Sequence, residues 1–386
     1  MDILMTSSGG IIRGIESWPE YGLAKVLAKK GHNVTVFSSS SALKKHDGSK
    51  NETIEGINVR RFNPVLPTSL FSMLKKDFDI LHMHHLGYLA PISSYAALAK
   101  KMKSVPSVFT MHGIYHNPYI VENTDDPLSG RINNKVQLSF PFLKPWKLTN
   151  WFVHLPLQAD KIIALTEWEK TAITKLSIDS KKINVVPNGV DLEKYSKGRS
   201  DYFKKLGIGG KILLFVGQPT KRKGWKHFLD AMPGILKEFP DAKAVFIGYS
   251  SSKELENYSK SMGLEKSVVF LGYLPEEKKI DAFKSSDVFV FPTLYEGFGI
   301  VFLEAMASGL PIVTTDSAGN KEIIDGSNGI LTGAKSSLEI AEAVIKLLES
   351  KALRTKISQA NKRKVLDYEW KKVAEMYLGI YEDVKK

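Results

Sequence analysis

Phe291-Pro-Thr-Leu-Tyr-Glu-Gly-Phe-Gly-Ile-Val-Phe-Leu-Glu-Ala-Met-Ala-Ser-Gly-Leu-Pro311 is the stretch around which the rest of the chain is organised. It begins as the end of an apolar strand, Val288 to Phe291, turns through Glu296-Gly297-Phe298-Gly299, and becomes a helix from about Ile300. Glycines at a strand-to-helix turn let the backbone approach a ligand, and the N–H groups of the helix start attract an anion. Glu304 lies roughly 6 Å along that helix, at ~1.5 Å per residue. Its neighbours Val301, Phe302, Leu303, Ala305, Met306 and Ala307 are apolar all round, so the helix reads as buried and its carboxylate needs a partner. The pattern implies a ligand in three parts. Glu296 would face a polyhydroxylated group, the amides of Gly297, Phe298, Gly299, Ile300 and Val301 a phosphate, and Glu304 a ribose. A nucleotide-sugar has those parts in that order.

The stretch resembles the signature of the retaining, family-4 type glycosyltransferases (glycosyl transferases group 1), which carry two glutamates separated by seven residues at the donor site. The resemblance extends over nearly the whole chain. It implies the two-domain fold called GT-B: two doubly wound α/β Rossmann-like domains facing across a cleft, with a C-terminal helix crossing back. On that reading residues 1–190 form the acceptor domain, 191–366 the nucleotide-sugar donor domain, and 367–386 the returning helix.

Composition sets the bounds. At 386 residues the chain is long enough for two ordinary domains. No apolar run approaches the length of a membrane span, and the first residues do not read as a signal peptide. The absence of cysteine excludes thiolate and disulfide chemistry and suits a cytoplasmic protein. A net charge of +13 calls for anionic partners such as phosphorylated substrates or an anionic membrane face.

In the first half, Met1 to Thr6 and Asn33 to Phe37 read as strands around a Glu20 to Lys30 helix that Gly31 terminates. The loop between them carries Gly9 and Gly10 at a strand's carboxyl end, where doubly wound sheets bind ligands, but without the Gly-x-Gly-x-x-Gly of a dinucleotide site. By resemblance Gly9 and Gly10 lie against the donor phosphate and the acceptor, with Arg13 as a further candidate. Asn58 to Phe62, Ile80 to His84, Ser107 to Gly113, Asp160 to Thr166 and Ile183 to Pro187 supply more strands. Asp77-Phe-Asp79 reads as a strand-entry turn and not as a metal site. His82, His84 and His85 lack the cysteines or distant partner pattern of a zinc site, so no metal is expected. The resemblance implies that His112 hydrogen-bonds the donor sugar. The segment 137–157 alternates Phe140, Phe142, Trp146, Trp151 and Phe152 with Lys144 and Lys147. It suits either domain core or a membrane interface and lipid-linked acceptor, and Ser69 to Lys76 adds to the latter.

In the second half, the strand Lys211 to Gly217 leads into Gln218-Pro-Thr-Lys-Arg-Lys-Gly224, whose cations suit a pyrophosphate. Members of the resembled family often carry an arginine where this chain has Gln218, and some instead pair Arg-Lys before the glycine, so Arg222 and Lys223 are the candidates. Tyr273-Leu274-Pro275 is expected to wall the nucleobase through its backbone. The chemistry implied is transfer of a sugar to an acceptor hydroxyl, Arg222, Lys223 and the loop amides stabilising the departing diphosphate without a metal or other cofactor. By resemblance the anomeric configuration is retained through front-face attack, and Glu296 is then a sugar-positioning group. The partners expected are a nucleotide-sugar donor, a glycan or lipid-linked acceptor and an anionic membrane surface, with the protein cytoplasmic or peripheral at that face. An epimerase or glycan phosphorylase of the same fold is the alternative enzyme. A nucleic-acid-binding protein fits the charge but leaves the glycines and glutamates unexplained, so nucleic acid is not an expected partner.

Overall fold

The computed structural model describes residues 1–7, 11–12, 18–40, 49–63, 66–85, 91–112, 154–175, 177–248, 253–317 and 319–386. Gly9, Gly10, Arg13 and nearly all of the aromatic-basic segment 137–157 lie outside the described residues. The chain divides into two compact units, Met1–Gly189 with Trp370–Lys386, and Val190–Glu369.

The first unit is built on eight strands: β1 (Asp2–Ser7), β2 (Asn33–Ser39), β3 (Asn51–Ile54), β4 (Ile57–Phe62), β5 (Ile80–His84), β6 (Ser107–Thr110), β7 (Lys161–Ala164) and β8 (Ile183–Val185). Their order is β3-β4-β2-β1-β5-β6-β7-β8, parallel except for the β3–β4 hairpin. That hairpin turns through Glu55 and Gly56, both at positive φ, as a two-residue turn between twisted strands requires. Alternation along β1 sends Ile3 and Met5 into one apolar layer and Leu4 into the other. The first layer is closed by helix Pro19–Lys29 and by the last helix, Trp370–Lys385, whose Val373, Ala374, Tyr377 and Tyr381 repeat at helical spacing and are buried. The Tyr381 hydroxyl lies 2.6 Å from His82 Nδ1, and that of Tyr377 lies 3.3 Å from Thr110 Oγ1. Trp370 fills a slot floored by glycines: a Cβ on Gly22 or Gly189 would stand 2.3 or 2.4 Å from its ring. Asp79 accepts from the Asp2 amide at 2.8 Å, and Asp77 lies 3.3 Å from Lys103 Nζ, the contacts of a strand-entry turn.

The second unit has six parallel strands, β9 (Ile212–Val216), β10 (Lys243–Ile247), β11 (Val268–Gly272), β12 (Val288–Phe291), β13 (Ile312–Thr315) and β14 (Ile330–Thr332). Their order is β11-β10-β9-β12-β13-β14. Counted within the unit this is 3-2-1-4-5-6, the doubly wound order whose direction reverses between the first and fourth strands. Doubly wound sheets bind ligands at such a reversal point, here the carboxyl ends of β9 and β12. In the first unit the same reversal falls between β1 and β5.

Candidate active site

The residues singled out in the second unit meet at its reversal point. After β9 the chain makes one short turn, Lys221–Lys223, and ends it at Gly224 with φ 71°. A Cβ there would stand 1.9 Å from the carbonyl oxygen of Pro292, so only glycine lets this turn press against the loop leaving β12. The Arg222 carbonyl accepts from the Leu294 amide at 2.8 Å and from Thr293 Oγ1 at 3.2 Å, which pins the two loops together. Arg222 Nη1 in turn donates to the Tyr295 carbonyl at 2.5 Å and to Glu296 Oε1 at 3.1 Å, and Lys223 Nζ donates to the same carboxylate oxygen. Glu296 is buried, which alone would raise its pKa, yet Lys223 and Arg222 hold it below the usual carboxylate value. The cations read from sequence as a pyrophosphate site are thus paired with Glu296, the glutamate read as sugar-positioning. An arriving diphosphate would compete for them.

Gly299, at φ 73°, starts the helix Ile300–Ala307. The first N–H groups of any helix lack partners within it and carry partial positive charge, which suits an anion. Phe298 turns its buried side chain toward Tyr368, ring centroids 6.0 Å apart, so it offers the loop its backbone. Glu304 is buried on that helix, where Lys279 Nζ meets its Oε1 at 2.7 Å and Glu276 Oε2 at 3.0 Å. Burial alone would lower the Lys279 pKa, but Glu304 and Glu276 raise it, so the ammonium stays charged. Glu304 Oε2 is buried without a well-formed hydrogen bond among the described residues, with the Tyr195 hydroxyl beside the carboxylate. Tyr273 is 57 % exposed and Leu274 half-buried, directly before helix Glu276–Lys284.

At the reversal point of the first unit, His112 follows β6 with φ 55° and His85 follows β5 with φ 64°, left-handed backbone that few non-glycine residues adopt. His84 Nδ1 lies 2.8 Å from His112 Nε2, and the rings of His85 and His112 stand 4.7 Å apart. Glu20, wholly buried, accepts from Ser7 Oγ at 2.6 Å and lies 3.2 Å from His85 Nε2. Burial lowers the pKa of His84 and His112 well below the ordinary value, and that of His82 to about 3. Burial pushes Glu20 the other way, but His85, with the Ser7 hydroxyl, overcomes it, and its pKa comes down to about 2.

Sequence reasoning found neither Glu20 nor Lys279. Each was signalled by position: Glu20 shares the buried stripe of its helix with Leu23, Ala24 and Leu27, and Lys279 shares its own with Ile280 and Phe283. A charged residue on an apolar stripe needs a buried partner.

Sequence and fold match known proteins. Residues 198–364 match the family Glycosyl transferases group 1, and residues 21–194 match Glycosyltransferase Family 4. Spore coat protein SA of Bacillus subtilis is 33% identical, over 93% of this chain and 92% of that one. A phosphatidyl-myo-inositol mannosyltransferase of Mycobacterium leprae is 29% identical, over 94% and 91%. The crystal structure of Anabaena Alr3699/HepE in complex with UDP and glucose superposes with a TM-score of 0.75 at 18% identity, covering 99% of both chains. The chain belongs to the group 1, family 4 glycosyltransferases. Its fold is GT-B and it is a glycosyltransferase enzyme.

Proposed function

We propose that this protein transfers a hexose from a nucleoside diphosphate sugar to an acceptor hydroxyl, with retention of anomeric configuration and no need for a metal. The meeting of Arg222, Lys223 and Glu296 at the reversal point of the second sheet carries the reading. The diphosphate draws the two cations onto itself, and the amides of residues 297–301 complete the cradle. Negative charge grows on the leaving diphosphate during the reaction, and preorganised donors of this kind stabilise it where water is excluded. Glu296, released from its cations, is free to accept hydrogen bonds from sugar hydroxyls. Glu304 offers its unfilled Oε2 to the ribose, and Tyr273 and Leu274 border the base. His112, neutral at physiological pH, is the group assigned to the sugar by the family resemblance. Attack by the acceptor on the face the diphosphate leaves gives retention without an enzyme nucleophile.

The acceptor we favour is a glycan or lipid-linked molecule presented at an anionic membrane. The Mycobacterium leprae relative is named for a phosphatidyl-myo-inositol substrate. In this chain Leu66, Phe71 and Met102 are exposed beside Lys75, Lys76 and Lys101, the aliphatic, aromatic and basic mixture of a membrane-facing surface. Among the described residues no helix is long and apolar enough to cross a membrane.

A thermal-shift panel of nucleoside diphosphates and their sugars, run with EDTA, tests the donor reading. Stabilisation by one nucleotide, lost in Lys223→Ala, with a sugar-dependent increment lost in Glu296→Ala, is the expected result. No shift with any nucleotide would overturn it. Proton NMR of the first product gives the anomeric outcome, and an inverted product would refute retention.

A further inference from the structure

We propose that Glu20, His84 and His112 form a binding site for one transition-metal dication of the zinc type. The sequence offered a run of histidines with no distant partner. The fold supplies one from the start of helix Pro19–Lys29 and another from the end of β6. One donor atom from each of Glu20, His84 and His112 lies within 4.8 Å of the other two.

Chemistry selects the ion. Two imidazoles and one carboxylate make a nitrogen-rich, borderline-soft set that suits Zn²⁺ or Co²⁺, whereas Mg²⁺ and Ca²⁺ favour oxygen ligands throughout. A neutral imidazole keeps one ring lone pair for a metal, and the His84 and His112 rings bring Nδ1 and Nε2 within 2.8 Å of each other. Glu20 uses Oε1 for Ser7 and His85, while its buried Oε2 has no hydrogen-bond partner among the described residues. His85 then supports the carboxylate from outside the coordination shell, the arrangement that orients metal ligands in known sites.

The geometry needs only a small adjustment. Ligands at about 2.0–2.2 Å from a tetrahedral zinc stand about 3.3 Å apart. The imidazole pair, at 2.8 Å, opens slightly, and the carboxylate oxygen, within 4.8 Å of both nitrogens, closes toward that spacing. The ion takes the place of the proton between the two rings. That proton moves to the outer nitrogen of the ring that donated it, so both rings stay neutral. Three protein ligands leave a coordination position open. The ion would also hold the lone pair that His112 contributes in the transfer proposed above, so zinc and sugar would compete for one histidine.

Isothermal titration with zinc, buffered by a weak chelator and with no nucleotide present, tests the site on the full chain. We expect one ion per chain in the wild type, at least tenfold weaker binding in Glu20→Gln and in His112→Asn, and visible bands of four-coordinate Co²⁺ that both variants lose. Asparagine tolerates the left-handed backbone at 112, so this variant keeps the test open if Glu20→Gln does not fold. Equal binding by wild type and either folded variant would assign the zinc to surface histidines such as His32 and His227 and overturn the site. So would no binding, or Mg²⁺ displacing zinc at similar concentration. Because no donor is present, failure here leaves the transferase reading standing, and the nucleotide panel with EDTA fails or succeeds without the metal.

Discussion

The two units share a plan and differ in their charge. Each is a doubly wound sheet with its polar cluster at the strand carboxyl ends, where the order reverses between β1 and β5 and between β9 and β12. In the second unit that cluster consists of ion pairs: Arg222 and Lys223 on Glu296, and Lys279 between Glu304 and Glu276. In the first it is a group of buried histidines around one carboxylate, with His82, His84 and His112 held neutral. Topology fixes where a site forms, and side chains decide what it binds. Exchangeable ion pairs suit an anion that can replace one partner. Neutral imidazoles suit hydroxyl groups and soft cations.

The comparison can be broken by experiment, beginning with acid stability. His82 has its pKa lowered from 6.5 to about 3 in the folded state, so the unfolded chain binds the proton more readily. Stability is then complete above pH 6.5 and falls as the pH drops toward 3, by roughly 4–5 kcal/mol for this group. Urea titrations between pH 7 and 4 should show the first unit unfolding earlier as the pH falls. A first unit as stable at pH 4 as at pH 7 would mean that these histidines are not buried neutral.

Next in size is Lys279→Met, which strands Glu304 and Glu276 beside each other. Removing one partner of a buried pair costs about 3–5 kcal/mol. The double variant with Glu304→Gln should recover much of that loss in a thermal melt, because no uncompensated charge remains. Additive losses would show that the pair is not coupled.

On the proposed function, Lys223→Ala removes a group that acts on the diphosphate. Loss of one such electrostatic contact costs about 10²–10³ in rate, or ~2.7–4 kcal/mol. We expect kcat/KM to fall by that much and nucleotide affinity to fall with it. His112→Ala should lower kcat while leaving affinity for the free nucleoside diphosphate intact. If both variants weaken nucleotide binding equally, the division of labour between the units is wrong.

Asp325→Asn is the smallest test. Asp325 lies 2.6 Å from Lys364, and that contact together with the Ser327 hydroxyl holds its pKa at about 2. The contribution is full above about pH 4 and disappears as the pH falls through 2. Solvent screens so exposed a pair, so less than about 1 kcal/mol should be lost at pH 7.

The 291–311 signature was legible because its glycines, glutamates and apolar helix lie in one continuous stretch. The strands of the second unit could likewise be read from apolar runs, three of them ending in Gly217, Gly248 and Gly272. Pairings across long sequence separations could not. Lys223 and Glu296 are 73 residues apart, and His85 and Glu20 are 65 apart. Nothing local in Arg222-Lys223 says that a carboxylate holds these cations before a phosphate does. Strand β3 was missed because Asn51-Glu-Thr-Ile is short, polar and at a sheet edge, so its place is set by the turn at Glu55-Gly56.

The last helix has a consequence for synthesis of the chain. The first unit is discontinuous: about 180 residues of the second unit are made before Trp370 can enter its slot at Gly22 and Gly189. At about 5–20 residues per second, the first sheet waits roughly 10–40 s on the ribosome with part of one face uncovered. During that interval His82 lacks Tyr381, and the apolar layer around Ile3 and Val36 is open to water or to a chaperone. The protein's most exposed moment in the cell therefore comes late in translation, when most of its chain has already been made.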